Sequence, residues 1–227
     1  LAGVSIPAGQ MAATLDAMSF SRDQEEEADL LGARFMADSG YDPHASVRVW
    51  EQIIEEEKKA SAKRRQPDIF SQTHPNSADR AQTLRSYVSS HYGAARPSAE
   101  GQARHVAILD RYYMTLMEDQ IDTNRFGRTQ AMLDRHKAIG VNACQVAFFY
   151  GEMYRQRDQA GDTERAKSAY TEAIDYDQPP PHAYRNLGYL QLKEGNMEQA
   201  RENLSKYLLL APDASDRKMI EFYLDES

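Results

Sequence analysis

Two segments in the second half of the chain repeat one another at a fixed spacing. Residues 160–174 (AGDTERAKSAYTEAI) align with residues 194–208 (EGNMEQARENLSKYL) at an offset of 34 residues, which places Gly161 on Gly195 and Ala166 on Ala200. A repeat of this length is typical of one pair of antiparallel helices, which cannot bury its apolar face alone and must stack on neighbouring pairs. The second half is therefore predicted to be a stack of helix pairs.

The later copy resembles the tetratricopeptide repeat. The residues at its signature positions are Tyr184, Leu187, Gly188, Ala200, Leu204, Tyr207 and Pro212. Gly188 and Ala200 are small where two helices are expected to cross closely, and Pro212 is expected to end the second helix. The earlier copy has Tyr154 where a small residue is expected, so it is a weaker match.

A third, degenerate unit is predicted upstream, with Gly127 in register and a first helix over about residues 104–121. A capping helix is expected after Pro212. Stacks of this kind usually bind proteins or extended peptides in a concave groove, although the helices could also only scaffold a neighbouring domain. The residues Phe148, Phe149, Tyr150, Met153 and Tyr154 are predicted to pack in the core rather than to form a binding stripe.

The first half also has helical periodicity, and period-two strand patterns are almost absent, so the chain is predicted to be all-α. One helix is expected from about Gln10 to Ser39, ending at Gly40, and Asp42 is expected to cap a second one. A third should begin at Asn76 or Ser77 and end near Gly93. The segment GAARPSAEG then separates a domain over residues 1–95 from one over residues 102–227.

Composition argues against several classes of partner, covalent cross-link and metal site. The net charge of −8 argues against nucleic acid or an anionic membrane as the main partner, because both require a concentrated positive field. The single cysteine, Cys144, excludes an internal disulfide and an all-cysteine zinc site. No apolar run is long enough to span a membrane. The chain begins at Leu1 and not at a methionine, so an initiator, and any targeting segment, would lie upstream of it.

The first helix carries four acidic residues within residues 25–29. At 100° per residue, Glu25, Asp29, Gly32 and Met36 form one stripe beside Ala28, Leu31 and Phe35, while Asp23, Glu26, Glu27 and Arg34 project away. Two carboxylates on an apolar side require a neutralising partner. That partner could be an arginine such as Arg80, in a buried salt bridge, or a zinc ion.

Three motifs carry a resemblance to a known family: SRDQEEEAD, then SGYDP, then THPNSADR. Together they resemble the region that follows the HExxH helix in peptidase family forty-eight of the metallopeptidases. That group of gluzincins includes the CAAX prenyl proteases and BepA-like peptidases. The resemblance covers roughly residues 19–92, and its combination with tetratricopeptide repeats is similar to the BepA-like architecture.

The resemblance implies roles for four residues. Glu25 matches the third zinc ligand, and Asp29 matches an aspartate that orients a ligating histidine. His74 matches a histidine beside the metal, which can cover Zn²⁺ in a resting state or stabilise the oxyanion during hydrolysis. Arg80 matches an arginine that follows this motif and is expected to face the same cleft. Without the resemblance, His74 would be read as an ordinary loop histidine.

The sequence departs from the family pattern at one essential point. Gluzincin catalysis requires two zinc histidines one helical turn apart with a glutamate as general base, and no HExxH occurs among these 227 residues. We expect that the metal-binding helix lies upstream of Leu1; the alternative is a peptidase relative that has lost its chemistry. The chain alone is predicted to be inactive and to bind zinc weakly or not at all.

The expected parent protein is a zinc metalloendopeptidase with a repeat domain for substrates or an envelope protein complex. By resemblance, its substrates would be misassembled envelope proteins, and its location the bacterial periplasm. Two alternatives stay open: a non-catalytic tetratricopeptide interaction module, and a self-inhibited peptidase in which His74 is a fourth ligand until a partner removes it.

Overall fold

The computed structural model describes residues 8–60, 77–94, 99–140 and 142–225. These residues form ten helices and no strand, which confirms the all-α prediction. The helices are α1 (Ala8–Asp38), α2 (His44–Ala60), α3 (Ser77–Tyr92), α4 (Ala99–Asp122), α5 (Phe126–Ile139), α6 (Ala143–Arg157), α7 (Asp162–Ile174), α8 (Pro181–Lys193), α9 (Met197–Leu210) and α10 (Arg217–Asp225).

The chain divides into two compact units, over residues 1–109 and 110–227. The division falls inside α4, whereas the sequence predicts a boundary between residues 95 and 102, of which residues 95–98 lie outside the described part. Each unit has a hydrophobic core of its own. In the described residues, no helix combines the length and the apolar character that a bilayer crossing requires.

The first unit is built from α1, α2 and α3, whose inner faces meet around Ala33, Val47, Leu84 and Val88. Helix α1 ends where expected, because Gly40 adopts a left-handed conformation (φ +78°) and the Tyr41 amide donates back to the Met36 carbonyl at 2.8 Å. Asp42 caps α2, because its Oδ1 accepts a hydrogen bond from the His44 backbone N–H at 3.0 Å. The Asp42 carboxylate is buried, and Arg48 neutralises its charge by donating from Nη2 to Oδ2 at 2.8 Å. The Arg48 and His44 contacts outweigh desolvation and lower the pKa of Asp42.

The second unit stacks the part of α4 from residue 110 onward with α5 to α9, and it ends with α10. Helices α8 and α9 cross closely, as the repeat predicts: a Cβ on Gly188 would lie 2.8 Å from Leu204 Cγ and 3.3 Å from the Ala200 carbonyl oxygen. Helices α6 and α7 also cross closely, but their contact lies one helical turn before the position that the 34-residue alignment with Gly188 indicates. There Gly151 takes the small position and lies against the Tyr170 ring. This explains how Tyr154 is tolerated where the repeat pattern expects a small residue.

Two details of the degenerate first repeat differ from expectation. Gly127 lies inside α5 and not in the turn before it, where Gly161 and Gly195 lie in the later repeats. The turn between α4 and α5 instead uses Asn124 in a left-handed conformation (φ +54°), which asparagine tolerates better than most residues.

The core of the second unit is rich in aromatic and methionine side chains. Phe148, Phe149 and Met153 are buried, and Tyr150 and Tyr154 are partly buried against them, which confirms that these residues belong to the core. Helix α4 is joined to α5 by a hydrogen bond of 2.8 Å between the Tyr113 hydroxyl and His136 Nδ1. Burial raises the pKa of Tyr113 and lowers that of His136.

Candidate functional site

Helix α1 holds Glu25 and Asp29 one turn apart on the side that faces the core of the first unit. The Asp29 side chain is 14% exposed and the Glu25 side chain is 32% exposed, so the first is nearly buried and the second is at the rim. Ala33, one further turn along the helix, is fully buried. The inward orientation of both carboxylates follows from their spacing of four residues.

Arg80 of α3 binds both carboxylates. Its Nε donates to Asp29 Oδ2 at 2.6 Å and its Nη2 to Asp29 Oδ1 at 2.7 Å, which is a bidentate pair, and its Nη1 lies 2.8 Å from Glu25 Oε2. The guanidinium also lies over the Trp50 ring, 3.9 Å from the ring centroid. The pKa of Arg80 is raised, chiefly by the hydrogen bond to Asp29, against the opposing effect of burial.

The sequence left open whether an arginine or a zinc ion neutralises these carboxylates, and in this structure Arg80 does so. In the described ranges, no group of three or more histidine, cysteine, aspartate or glutamate side chains is placed to hold a metal ion. A tetrahedral zinc site requires three protein ligands or more. The described residues therefore do not form a zinc site by themselves. The predicted metal-facing residue His74 lies outside the described residues, within 61–76.

The apolar residues beside the acidic stripe do not face the core. Leu31 is 41% exposed and Phe35 is 63% exposed, and Ala28 is exposed as well. The core side of α1 is centred on Ala33 instead, with Leu30 packed beside it. The sequence pattern placed Leu31 and Phe35 next to Asp29, but on a helix of 3.6 residues per turn Phe35 projects on the far side from Asp29 and Ala33.

A second candidate site is an open cleft of about 340 Å³ in the repeat unit. Its walls come from α4, α6 and α8, the first helices of the three successive pairs. The lining residues are Glu118, Ile121, Asp122, Phe148, Phe149, Glu152, Gln156, His182, Arg185 and Asn186. Several of them stand 34 residues apart, so equivalent positions of successive repeats line the same cleft.

Three polar residues that line this cleft occupy equivalent positions in successive repeats. Glu118, Glu152 and Asn186 follow one another at intervals of 34 residues. Asn186 Nδ2 donates to Glu152 Oε1, which also accepts the Tyr170 hydroxyl at 2.6 Å. Arg155 Nη2 donates to Glu152 Oε2 at 2.5 Å. Burial, followed by the charge of Glu152, raises the pKa of Tyr170. This network was not predicted, although the 34-residue spacing of the three positions was available in the sequence as a signal.

Comparison with protein families gives two matches in separate parts of the chain. Residues 3–88 match peptidase family M48, and residues 159–220 match the tetratricopeptide repeat. These matches confirm both resemblances drawn from the sequence motifs. Neither a curated protein nor a solved structure matches the chain.

Proposed function

We propose that these residues are part of a zinc-dependent metalloendopeptidase whose repeat unit binds proteins. The observation that carries the proposal is the match of residues 3–88 to peptidase family M48, in the segment where α1 presents Glu25 and Asp29 one turn apart on its inner side. The match supports membership of that part in a metallopeptidase family, and the repeat match supports protein interaction.

The proposal assigns roles to the predicted residues. Glu25 would be a zinc ligand, Asp29 would orient a ligand histidine, and His74 would lie beside the ion, as the family resemblance implies. Arg80 would hold Asp29 in place through its bidentate contact. Because the 227 residues contain no HExxH, the two remaining zinc ligands and the general base would come from a further segment of polypeptide.

The substrate and location are part of the proposal. A repeat unit joined to a peptidase suggests that polypeptides are captured before cleavage, which suits misassembled or unfolded envelope proteins in a bacterial periplasm. The net charge of −8 supports protein rather than nucleic-acid substrates.

The proposal is tested with the longest natural polypeptide that contains these residues, using hydrolysis of an unfolded protein such as reduced casein. We expect Glu25→Ala to lower the hydrolysis rate by more than about 100-fold, because it removes a metal ligand. Glu26→Ala is the matched control: Glu26 is the next residue on α1 and is exposed, so this variant should keep the wild-type rate. Full activity in Glu25→Ala, with its fold intact by circular dichroism, would remove Glu25 from the site.

A second candidate function is a non-catalytic interaction module. It is favoured by the lack of HExxH in the sequence and by the position of the Arg80 guanidinium, which pairs with both Glu25 and Asp29. If the longest natural polypeptide hydrolyses no protein and binds no zinc, this candidate replaces the first. Activity that appears only when His74 is replaced would instead indicate the self-inhibited peptidase.

A further inference from the structure

The guanidinium of Arg80 lies against both inward-facing carboxylates of α1. All three of its nitrogens are engaged, since Nε and Nη2 contact the two oxygens of Asp29 and Nη1 lies 2.8 Å from Glu25 Oε2. Carboxylate oxygens that converge on one point are also the ligands that hard divalent cations such as Ca²⁺ prefer. A positively charged side chain of the protein itself therefore lies where these two carboxylates could hold a cation.

The Arg80 charge is fixed in place. The bidentate pair with Asp29 sets the orientation of the guanidinium, and the Trp50 ring covers one of its faces with the ring centroid 3.9 Å away. The Arg80 side chain is only 15% exposed. Because arginine also keeps its proton throughout the pH range in which proteins stay folded, neither a small rearrangement nor a change of pH removes this charge.

Glu25 is the more accessible of the two carboxylates to a cation from solvent. Its side chain is 32% exposed, against 14% for Asp29, and Arg80 contacts it through a single nitrogen. A guanidinium 2.8 Å from Glu25 Oε2 repels any second cation that approaches the same carboxylate. Water and salt screen this repulsion incompletely because the groups are partly buried.

We propose that Arg80 is an autoinhibitory counter-ion, which prevents Glu25 and Asp29 from binding a free divalent cation. Removal of the guanidinium opens a latent cation site between the two carboxylates. The inference deepens the proposed function and rests on it for its meaning, because Glu25 is a zinc ligand there. With Arg80 in place, Glu25 holds a metal only together with the other ligands of a complete centre, and the carboxylate pair alone captures no Ca²⁺ or Mg²⁺.

The test uses the 227-residue chain and Ca²⁺ as the probe. Ca²⁺ takes oxygen ligands, so the six histidines of the chain do not compete for it. Urea unfolding is followed by the fluorescence of Trp50, with and without 1 mM CaCl₂ at constant ionic strength. The variant is Arg80→Met, which removes the charge and keeps most of the side-chain volume. Arg80→Gln is made as well, because its amide can still donate to Asp29 if the methionine variant does not fold.

We expect 1 mM Ca²⁺ to raise the ratio of folded to unfolded protein about five- to tenfold in Arg80→Met and Arg80→Gln. This gain corresponds to a Kd of about 0.1–0.25 mM, which is the strength of a weak carboxylate site. In the wild-type chain the same addition should change the ratio by less than about twofold, because the guanidinium occupies the site.

Two controls identify the source of the effect. Arg80→Met combined with Glu25→Gln and Asp29→Asn lacks both carboxylates, so Ca²⁺ should not stabilise it. Arg85→Met removes an arginine from the same helix whose partner is the half-exposed Glu51, so its response to Ca²⁺ should match that of the wild type.

Three outcomes would overturn the inference. The first is a Ca²⁺ effect below about twofold in both Arg80 variants. The second is an equal effect in the variant that lacks both carboxylates, since the cation would then bind elsewhere. The third is an equal effect in the wild-type chain, since Arg80 would then not close the site. None of these measurements requires peptidase activity or zinc, so failure of the inference is distinguishable from failure of the proposed function.

Discussion

Replacement of Arg80 by alanine is the perturbation that most sharply tests how the first unit is held together. The change removes a bidentate pair with Asp29, a third contact with Glu25 and the stacking on Trp50. It leaves two carboxylates on the inner side of α1 without the cation that neutralises them. The Arg80 side chain is only 15% exposed, so water replaces these contacts incompletely.

The expected loss is about 2–4 kcal/mol in the free energy of unfolding. Removal of one partner from a buried ion pair typically costs about 3–5 kcal/mol, because a buried charge is left unpaired. Glu25 is partly solvated, so its unpaired carboxylate contributes less than that of Asp29 to the loss in the free energy of unfolding. The lost stacking on the indole adds about 1 kcal/mol.

Urea unfolding followed by tryptophan fluorescence measures this loss. Trp50 is the only tryptophan in the chain and lies directly against the Arg80 guanidinium, so the signal reports on the first unit. The matched control is Arg85→Ala on the same helix. Arg85 pairs with Glu51 at 2.5 Å, but both side chains are about half exposed, so its removal should cost less than about 1 kcal/mol.

A third variant separates charge from packing. Arg80→Met combined with Glu25→Gln and Asp29→Asn removes all three charges and keeps most of the volume, so it should recover more than half of the lost stability. The reasoning is refuted if Arg80→Ala is no more destabilising than Arg85→Ala. It is also refuted if the neutral triple variant is as unstable as Arg80→Ala, since burial of unpaired charge would then not be the cause.

Two further predictions concern packing and pH. Gly151→Ala should destabilise the repeat unit by about 1–2 kcal/mol in urea unfolding followed by circular dichroism, because a Cβ would lie 2.5 Å from Tyr170 Cδ1 and 2.8 Å from Cζ. Gly32→Ala, on an exposed helical surface with nothing near the new Cβ, should instead stabilise by about 0.5–1 kcal/mol. The lowered pKa of His136 means that the unfolded chain binds the proton more readily, so stability should fall as pH drops below about 6.5. His136→Gln should flatten this slope, and an unchanged slope would exclude His136 as its source.

The helices of the chain were largely predictable from local signals. Gly40 ends α1 and Asp42 caps α2 because a left-handed residue and a short acidic cap are local requirements that do not depend on the rest of the fold. The close crossing at Gly188 was predictable for a similar reason, since the repeat period fixes which residues of α8 and α9 meet.

Pairing between distant side chains was less predictable. The sequence showed that Glu25 and Asp29 need a neutralising partner and offered Arg80 as one candidate, but the distance between α1 and α3 is set by tertiary packing. The exposure of Leu31 and Phe35 was missed because periodicity defines an apolar face without specifying which side has a neighbour. The close crossing at Gly151 was missed because the pattern of the later repeat placed the small residue one turn further on.

Zinc content of the longest natural polypeptide that contains these residues tests the central claim most directly. Inductively coupled plasma mass spectrometry of the purified protein should find one zinc per chain, and Glu25→Ala should lose that zinc while Glu26→Ala keeps it. Absence of zinc from the wild-type protein, or full zinc retention in Glu25→Ala, would contradict the assignment of this carboxylate to a metallopeptidase centre.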